Sequence, residues 1–123
     1  MLQKTRIVIQ TIQDVTVATV EDSSVIDPQH IEELRVALFN LIEKQDKRKL
    51  ILDITKVKHL SSAALGVLIP LQEAYRKAKG QMFLVGASDG IMKLFKITRL
   101  DKLLQFADTE NEALKKFGVT MSR

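Results

Sequence analysis

Hydrophobic and polar positions along this chain switch repeatedly between a period of two and a period near 3.6. Arg6-Ile7-Val8-Ile9-Gln10 and Val15-Thr16-Val17-Ala18-Thr19-Val20 are rich in β-branched residues and flank the polar pair Gln13-Asp14, which predicts two strands joined as a hairpin. Ile31, Leu34, Leu38, Leu41 and Ile42 then recur at helical spacing, with Glu32, Glu33, Arg35 and Lys44 off the stripe. That helix has a start signal: Asp27 as N-cap, Pro28 at the first helical position, and Ile26 placed to staple onto Ile31. Leu50-Ile51-Leu52-Asp53-Ile54 is a nearly continuous apolar run, the pattern of a central strand buried on both faces.

A second helical pattern opens at Ser61-Ser62 and runs to Lys79, with Leu65, Leu68, Ile69 and Tyr75 on its apolar side and Gly80 as the expected C-terminal cap. Pro70 falls inside it, where it removes one backbone hydrogen bond and is expected to kink the axis near Gly66. Gln81-Met82-Phe83-Leu84-Val85 reads as another strand. Ser88 is placed to cap a third helix built on Ile91, Leu94 and Phe95. Residues 103–106 suggest a short edge strand, and Thr109-Glu110-Asn111-Glu112 has the form of a capping box opening a last helix through Phe117, with a frayed tail over 119–123. The order ββαβαβα, a short strand, then α predicts an α/β fold: a mixed sheet of about 4–5 strands, partly parallel, flanked by about 4 helices.

Length and composition narrow the picture. One domain, spanning 1–123, is the economical reading of 123 residues, because two halves of about 60 residues would each struggle to bury a core. With 46% hydrophobic and 28% charged residues the chain is an ordinary globular composition, and with no cysteine it forms no disulfide and holds no thiolate metal site. The first ten residues carry no apolar core of signal-peptide length, and the longest apolar run, 63–71, is about half of the roughly 20 residues a spanning helix needs. The expectation is a cytoplasmic protein with no membrane insertion.

A formal charge of +4 raises the question of an acidic partner, but Lys and Arg are interspersed with acids along the sequence. The densest cluster, Asp46-Lys47-Arg48-Lys49, sits in an expected helix-to-strand loop and reads as solvated. Few aromatics and no recognised nucleic-acid motif argue against direct nucleic-acid binding. His30 and His59 have no metal-ligand spacing, so neither a metal nor another cofactor is expected. His59 near Ser61, Ser62 and Asp53 prompts the question of a hydrolase, yet there is no Gly-x-Ser-x-Gly elbow, and neighbours on one strand and link do not supply a triad's geometry. Read as ordinary structure, Ser61 and Ser62 cap a helix and fill its first turn, Asp27 is an N-cap, and Asp53 accepts backbone N–H groups at a strand end.

The stretch Leu50-Ile-Leu-Asp-Ile-Thr-Lys-Val-Lys-His-Leu-Ser-Ser-Ala-Ala-Leu-Gly-Val-Leu resembles the signature of the STAS domains of bacterial anti-sigma factor antagonists. Three further segments fall in the same order as in that family. Ile26-Asp27-Pro28 followed by Glu33-Leu34-Arg35 resembles its Leu-Asp and Glu-Leu-Arg, Gly80 to Gly86 its Gly-x-x-x-x-Val-Gly strand, and Thr98-Arg99-Leu100-Asp101-Lys102-Leu103 its Thr-Gly-Leu-Asp-x-Leu. The resemblance implies a non-enzymatic regulator that binds an anti-sigma factor or related serine kinase. It also implies a phosphoacceptor serine at the helix opening, here Ser62, with Ser61 the second candidate. The implied partner surface is formed by Asp27, Asp53, Ser61, Ser62 and Ala63.

Where the family has an acid, a second Ser or Thr, and a Gly around that serine, this chain has Ser61, Ala63 and Ala64. A constitutive scaffold that no kinase recognises, or a ligand-binding module with a deep apolar pocket beside the second helix, is therefore the alternative.

Overall fold

The structure is a computed structural model that describes residues 6–119; what is expected of 1–5 and of 120–123 falls outside the described residues. Its elements run β1 (Ile7–Ile12), β2 (Val15–Val20), β3 (Ser24–Val25), α1 (Pro28–Glu43), β4 (Lys49–Asp53), β5 (His59–Leu60), α2 (Ser62–Lys77), β6 (Gln81–Val85), α3 (Asp89–Ile97), a 3-10 turn (Leu100–Lys102), β7 (Phe106–Ala107) and α4 (Glu110–Lys116). Five strands form one mixed sheet in the order β1-β2-β4-β6-β7, antiparallel between β1 and β2 and parallel elsewhere. This is the expected α/β architecture, with Leu50-Ile51-Leu52 at its buried centre.

Strand alternation divides the core in two. Ala18, Val20, Leu50, Leu52, Met82 and Leu84 point to one face, where α1, α2 and α3 cover them. Val15, Val17, Ile51, Phe83 and Val85 point to the other, where α4 supplies Ala113 and Leu114. There Phe117 meets Phe83 edge to face at 5.1 Å.

The capping serines and threonine act as their positions predict. Ser61 Oγ accepts from Ala64 N–H and Ser88 Oγ from Ile91 N–H, each at 3.2 Å, and Thr109 Oγ1 accepts from Glu112 N–H at 3.1 Å. Asp27 occupies the N-cap of α1 with Pro28 behind it, but its carboxylate makes no capping bond.

Several expectations are corrected. Ile26 does not staple α1: it remains 54% exposed while Ile31 is buried, because residues 24–25 are drawn into a strand and carry the chain past the helix. The second helix ends at Lys77, and the left-handed position after it belongs to Lys79 (φ 62°) rather than Gly80. Gly80 is required for a different reason, since a Cβ there would sit 2.3 Å from the Arg48 carbonyl oxygen. The expected short edge strand is present but lies later than 103–106: Leu103 caps the 3-10 turn, and the strand is Phe106–Ala107. The last helix ends at Lys116 with Phe117 as its cap. Val119 is not frayed, for its N–H bonds the Leu114 carbonyl at 2.9 Å and its side chain is buried in the second core. Pro70 is accommodated within α2, which continues through it as one helix.

Candidate functional site

Because β2, β4, β6 and β7 are parallel, every helix that follows one of them begins at the same edge of the sheet, where their carboxyl ends lie. Ligand and partner sites of open parallel sheets gather at such an edge. Here two of the helix starts are tied together. Strands β3 and β5 form a two-stranded parallel ribbon, with Ser24 opposite His59 and Val25 opposite Leu60. The Ser23 carbonyl accepts from the N–H groups of Lys58 (2.7 Å) and His59 (3.0 Å), and the Val25 carbonyl accepts from Ser61 N–H (3.2 Å). Continued past Val25 and Leu60, this register sets residue 26 opposite 61 and residue 27 opposite 62, where the two chains turn into α1 and α2, so Asp27 and Ser61-Ser62 emerge side by side. The ribbon was not legible in the sequence, because two-residue strands have no periodicity to read.

At this start the two serines have separate tasks. Ser61, half-buried, uses its hydroxyl as the helix cap and its carbonyl to accept from Leu65 N–H at 3.1 Å. Ser62 is the first helical residue, is exposed, and its hydroxyl has no hydrogen-bond partner among the described residues. Cap and fourth-residue bonds take the N–H groups of Ala64 and Leu65. The N–H groups of Ser62 and Ala63 are left as the open donors at the head of a 16-residue helix. These donors and the positive dipole end suit a phosphoryl group. Ala63 is exposed beside them and Ala64 is buried at 2% exposure, so a small side chain is accommodated in the helix's packed first turn.

Asp53 is used locally. Its Oδ1 accepts from the backbone N–H of Thr55 at 2.9 Å and from the Thr55 hydroxyl at 2.5 Å, turning the chain out of β4. The turn is held from the other side by Gly86, at φ 81°, where a Cβ would sit 2.0 Å from Thr55 Oγ1. No hydrogen bond joins Asp53 to Ser61 or Ser62 among the described residues; the ribbon brings the Asp27 and serine helix starts alongside each other, and Asp53 ends β4. His59 is exposed on β5 with its backbone bound to Ser23, and among the described residues its ring bonds neither serine.

A separate recess lies elsewhere, as an open groove of about 570 Å³ between α1 and α2 lined by Phe39, Ile42, Pro70 and Ala74 among others. It is solvent-exposed along its length rather than an enclosed apolar chamber. Among the described residues no helix is long and apolar enough to cross a membrane.

A family model described as the STAS domain matches residues 6–113. The anti-sigma-B factor antagonist of Listeria monocytogenes is 32% identical over 61 residues, 50% of this chain and 54% of that protein. The chain thus spans about half the length of the curated relatives it matches. Among solved structures, an anti-sigma factor antagonist from Mycobacterium paratuberculosis superposes with a TM-score of 0.80 at 22% identity, covering 93% of this chain and 94% of that one. The phosphorylated form of the Bacillus cell fate determinant SpoIIAA superposes with a TM-score of 0.69 at 17% identity, covering 91% and 99%. These likenesses show the fold. Since the family model extends from β1 into α4, the chain belongs to the STAS domain family.

Proposed function

We propose that this protein is an anti-sigma factor antagonist of the partner-switching kind, binding an anti-sigma factor with serine-kinase activity through the edge that carries Ser62, Ala63 and Asp27. The observation that carries the reading is the exposed, unbonded hydroxyl of Ser62 at the head of α2, beside the start of α1. A protein surface complementary to that edge receives a neutral hydroxyl and the short side chain of Ala63. Phosphorylation of Ser62 adds about −1.5 to −2 charges at neutral pH. The helix tolerates them through its open N–H donors and dipole, while the partner meets them as desolvated charge next to the carboxylate of Asp27. Binding is therefore lost without refolding of the domain. A named relative that antagonises anti-sigma-B, and a fold neighbour described in a phosphorylated form, support the same reading.

Affinity purification from native cells with wild-type, Ser62→Ala and Ser62→Glu baits tests it. The reading expects one kinase-type anti-sigma factor on the first two baits and its absence from the third. Equal retention by all three identifies a constitutive scaffold instead.

A further inference from the structure

The opposite edge of the sheet, about 24 Å away along the 16 residues of α2, has a different character. All four helices end there, three of them on cations: Arg76 and Lys77 close α2, Lys96 closes α3, and Lys115 and Lys116 close α4, while α1 has no basic residue in its last turn and is followed by Lys44 at its C-cap. These residues are far apart in sequence, and it is the parallel topology that gathers them. Further cations lie in recesses of this region: Arg76 and Lys102 line one, and Arg48, Lys49 and Lys79 line another. Three of them are neutralised locally: Arg76 by Glu73, Arg48 by Asp46 and Lys49 by Asp14. Complementing helix dipoles accounts for cations in the last turns.

The segment 93–103 goes beyond that. Lys93, Lys96, Arg99 and Lys102 are all exposed, and among the described residues none of them forms an ion pair; Asp101 is the one acid among them. Between and beside these cations stand Ile97, 72% exposed, and Leu103, 60% exposed, the two most exposed large aliphatic side chains among the described residues. Arg99 holds the turn between them in the left-handed conformation, φ 64°. Dipole complementation does not explain two exposed aliphatics in the same segment as four unpaired cations.

We propose that this end of the molecule docks peripherally on an anionic lipid surface, with the cations at the headgroup phosphates and Ile97 and Leu103 entering the headgroup and acyl boundary. Charge complementarity selects the occupant, and exposed aliphatic side chains beside unpaired cations suit the boundary between lipid headgroups and acyl chains. Each lysine or arginine near such a surface strengthens partitioning by about five-fold, and the effect decays within a Debye length of about 8–10 Å. With Ser62 at the far edge, a protein docked this way keeps its serine edge facing away from the bilayer. The proposal stands independently of partner switching.

The test is sedimentation of the full chain with vesicles of 30% phosphatidylglycerol in phosphatidylcholine, against pure phosphatidylcholine. Binding to the anionic vesicles alone, weakened by 0.5 M salt and reduced at least ten-fold by Lys96→Glu with Lys102→Glu, is the expected result. Because the chain has no tryptophan, Ile97→Trp provides a single indole whose emission shifts to the blue on those vesicles. The proposal is overturned if the chain ignores anionic vesicles at low salt, or if the indole stays in water while the chain binds. Retention by an acidic polypeptide but not by vesicles overturns it as well.

Discussion

The backbone N–H of Ser61 donates to the carbonyl of Val25 at 3.2 Å, and through that bond the starts of two helices that are far apart in sequence become one surface. Val25 is fully buried, at 0% exposure: its side chain packs in the main core while its carbonyl holds the ribbon to the start of α2. Val25→Ala is expected to cost about 2 kcal/mol of stability by urea unfolding. It is also expected to weaken partner binding at temperatures where the domain remains folded. Unchanged binding by the folded variant would mean that the ribbon does not organise the site.

The two adjacent serines separate by what they bond. Ser61→Ala removes the cap of α2 and is expected to cost about 1 kcal/mol, whereas Ser62→Ala, losing no hydrogen bond, stays within about 0.5 kcal/mol of wild type. Ser62→Glu adds a negative charge to the helix N-terminus and gains about 0.3–1 kcal/mol in low salt. Denaturation midpoints for the three variants check the order, and an equal loss for both alanine variants contradicts the division of roles.

Legibility followed the range of the forces involved. Strands β2, β4 and β6 and the caps Ser61, Ser88 and Thr109 were readable because alternation and capping act over two to four residues. Features made by contacts between distant segments were not. The β3–β5 ribbon joins residues 24–25 to 59–60, and Val119 is buried by a sheet face it meets only after folding. The cationic edge is assembled from four helix ends. Gly80 was readable as a special position, but its reason is the Arg48 backbone of a neighbouring strand start rather than a local cap. At the site, the resemblance pointed to Asp27, Asp53, Ser61, Ser62 and Ala63, but the ribbon that sets the Asp27 and serine helix starts alongside each other, and the bonds of Asp53 to Thr55, are contacts that only the folded chain makes.

Two glycines are expected to respond with opposite signs. At Gly86, φ is 81° and the space for a Cβ is filled by Thr55, so Gly86→Ala should cost about 2–4 kcal/mol. Gly90 lies inside α3 with nothing within 4 Å of an added Cβ, so Gly90→Ala should stabilise by up to about 1 kcal/mol. Thermal unfolding of the pair checks both.

Tyr75 is fully buried and its hydroxyl has no partner among the described residues; burial raises its pKa above the ordinary value of 10.0. A group whose folded-state pKa is raised contributes stability that is complete below its unfolded value and is lost as pH rises toward the folded one. Stability should therefore fall above about pH 10. Tyr75→Phe should remove this tyrosine's share of the fall while leaving neutral-pH stability equal or higher, since an unbonded buried hydroxyl is lost. Urea midpoints between pH 8 and 11 measure it, and an identical alkaline slope in the variant would contradict the assignment.

The central claim is that Ser62 is the residue through which binding is switched. Intact-mass spectrometry of the full chain, after incubation with ATP and the anti-sigma factor kinase that it retains, tests this directly for wild type, Ser61→Ala and Ser62→Ala. A switch at Ser62 gives one added phosphate on wild type and on Ser61→Ala and none on Ser62→Ala. A phosphate that persists on Ser62→Ala, or no phosphate on wild type while the kinase is bound, would contradict it.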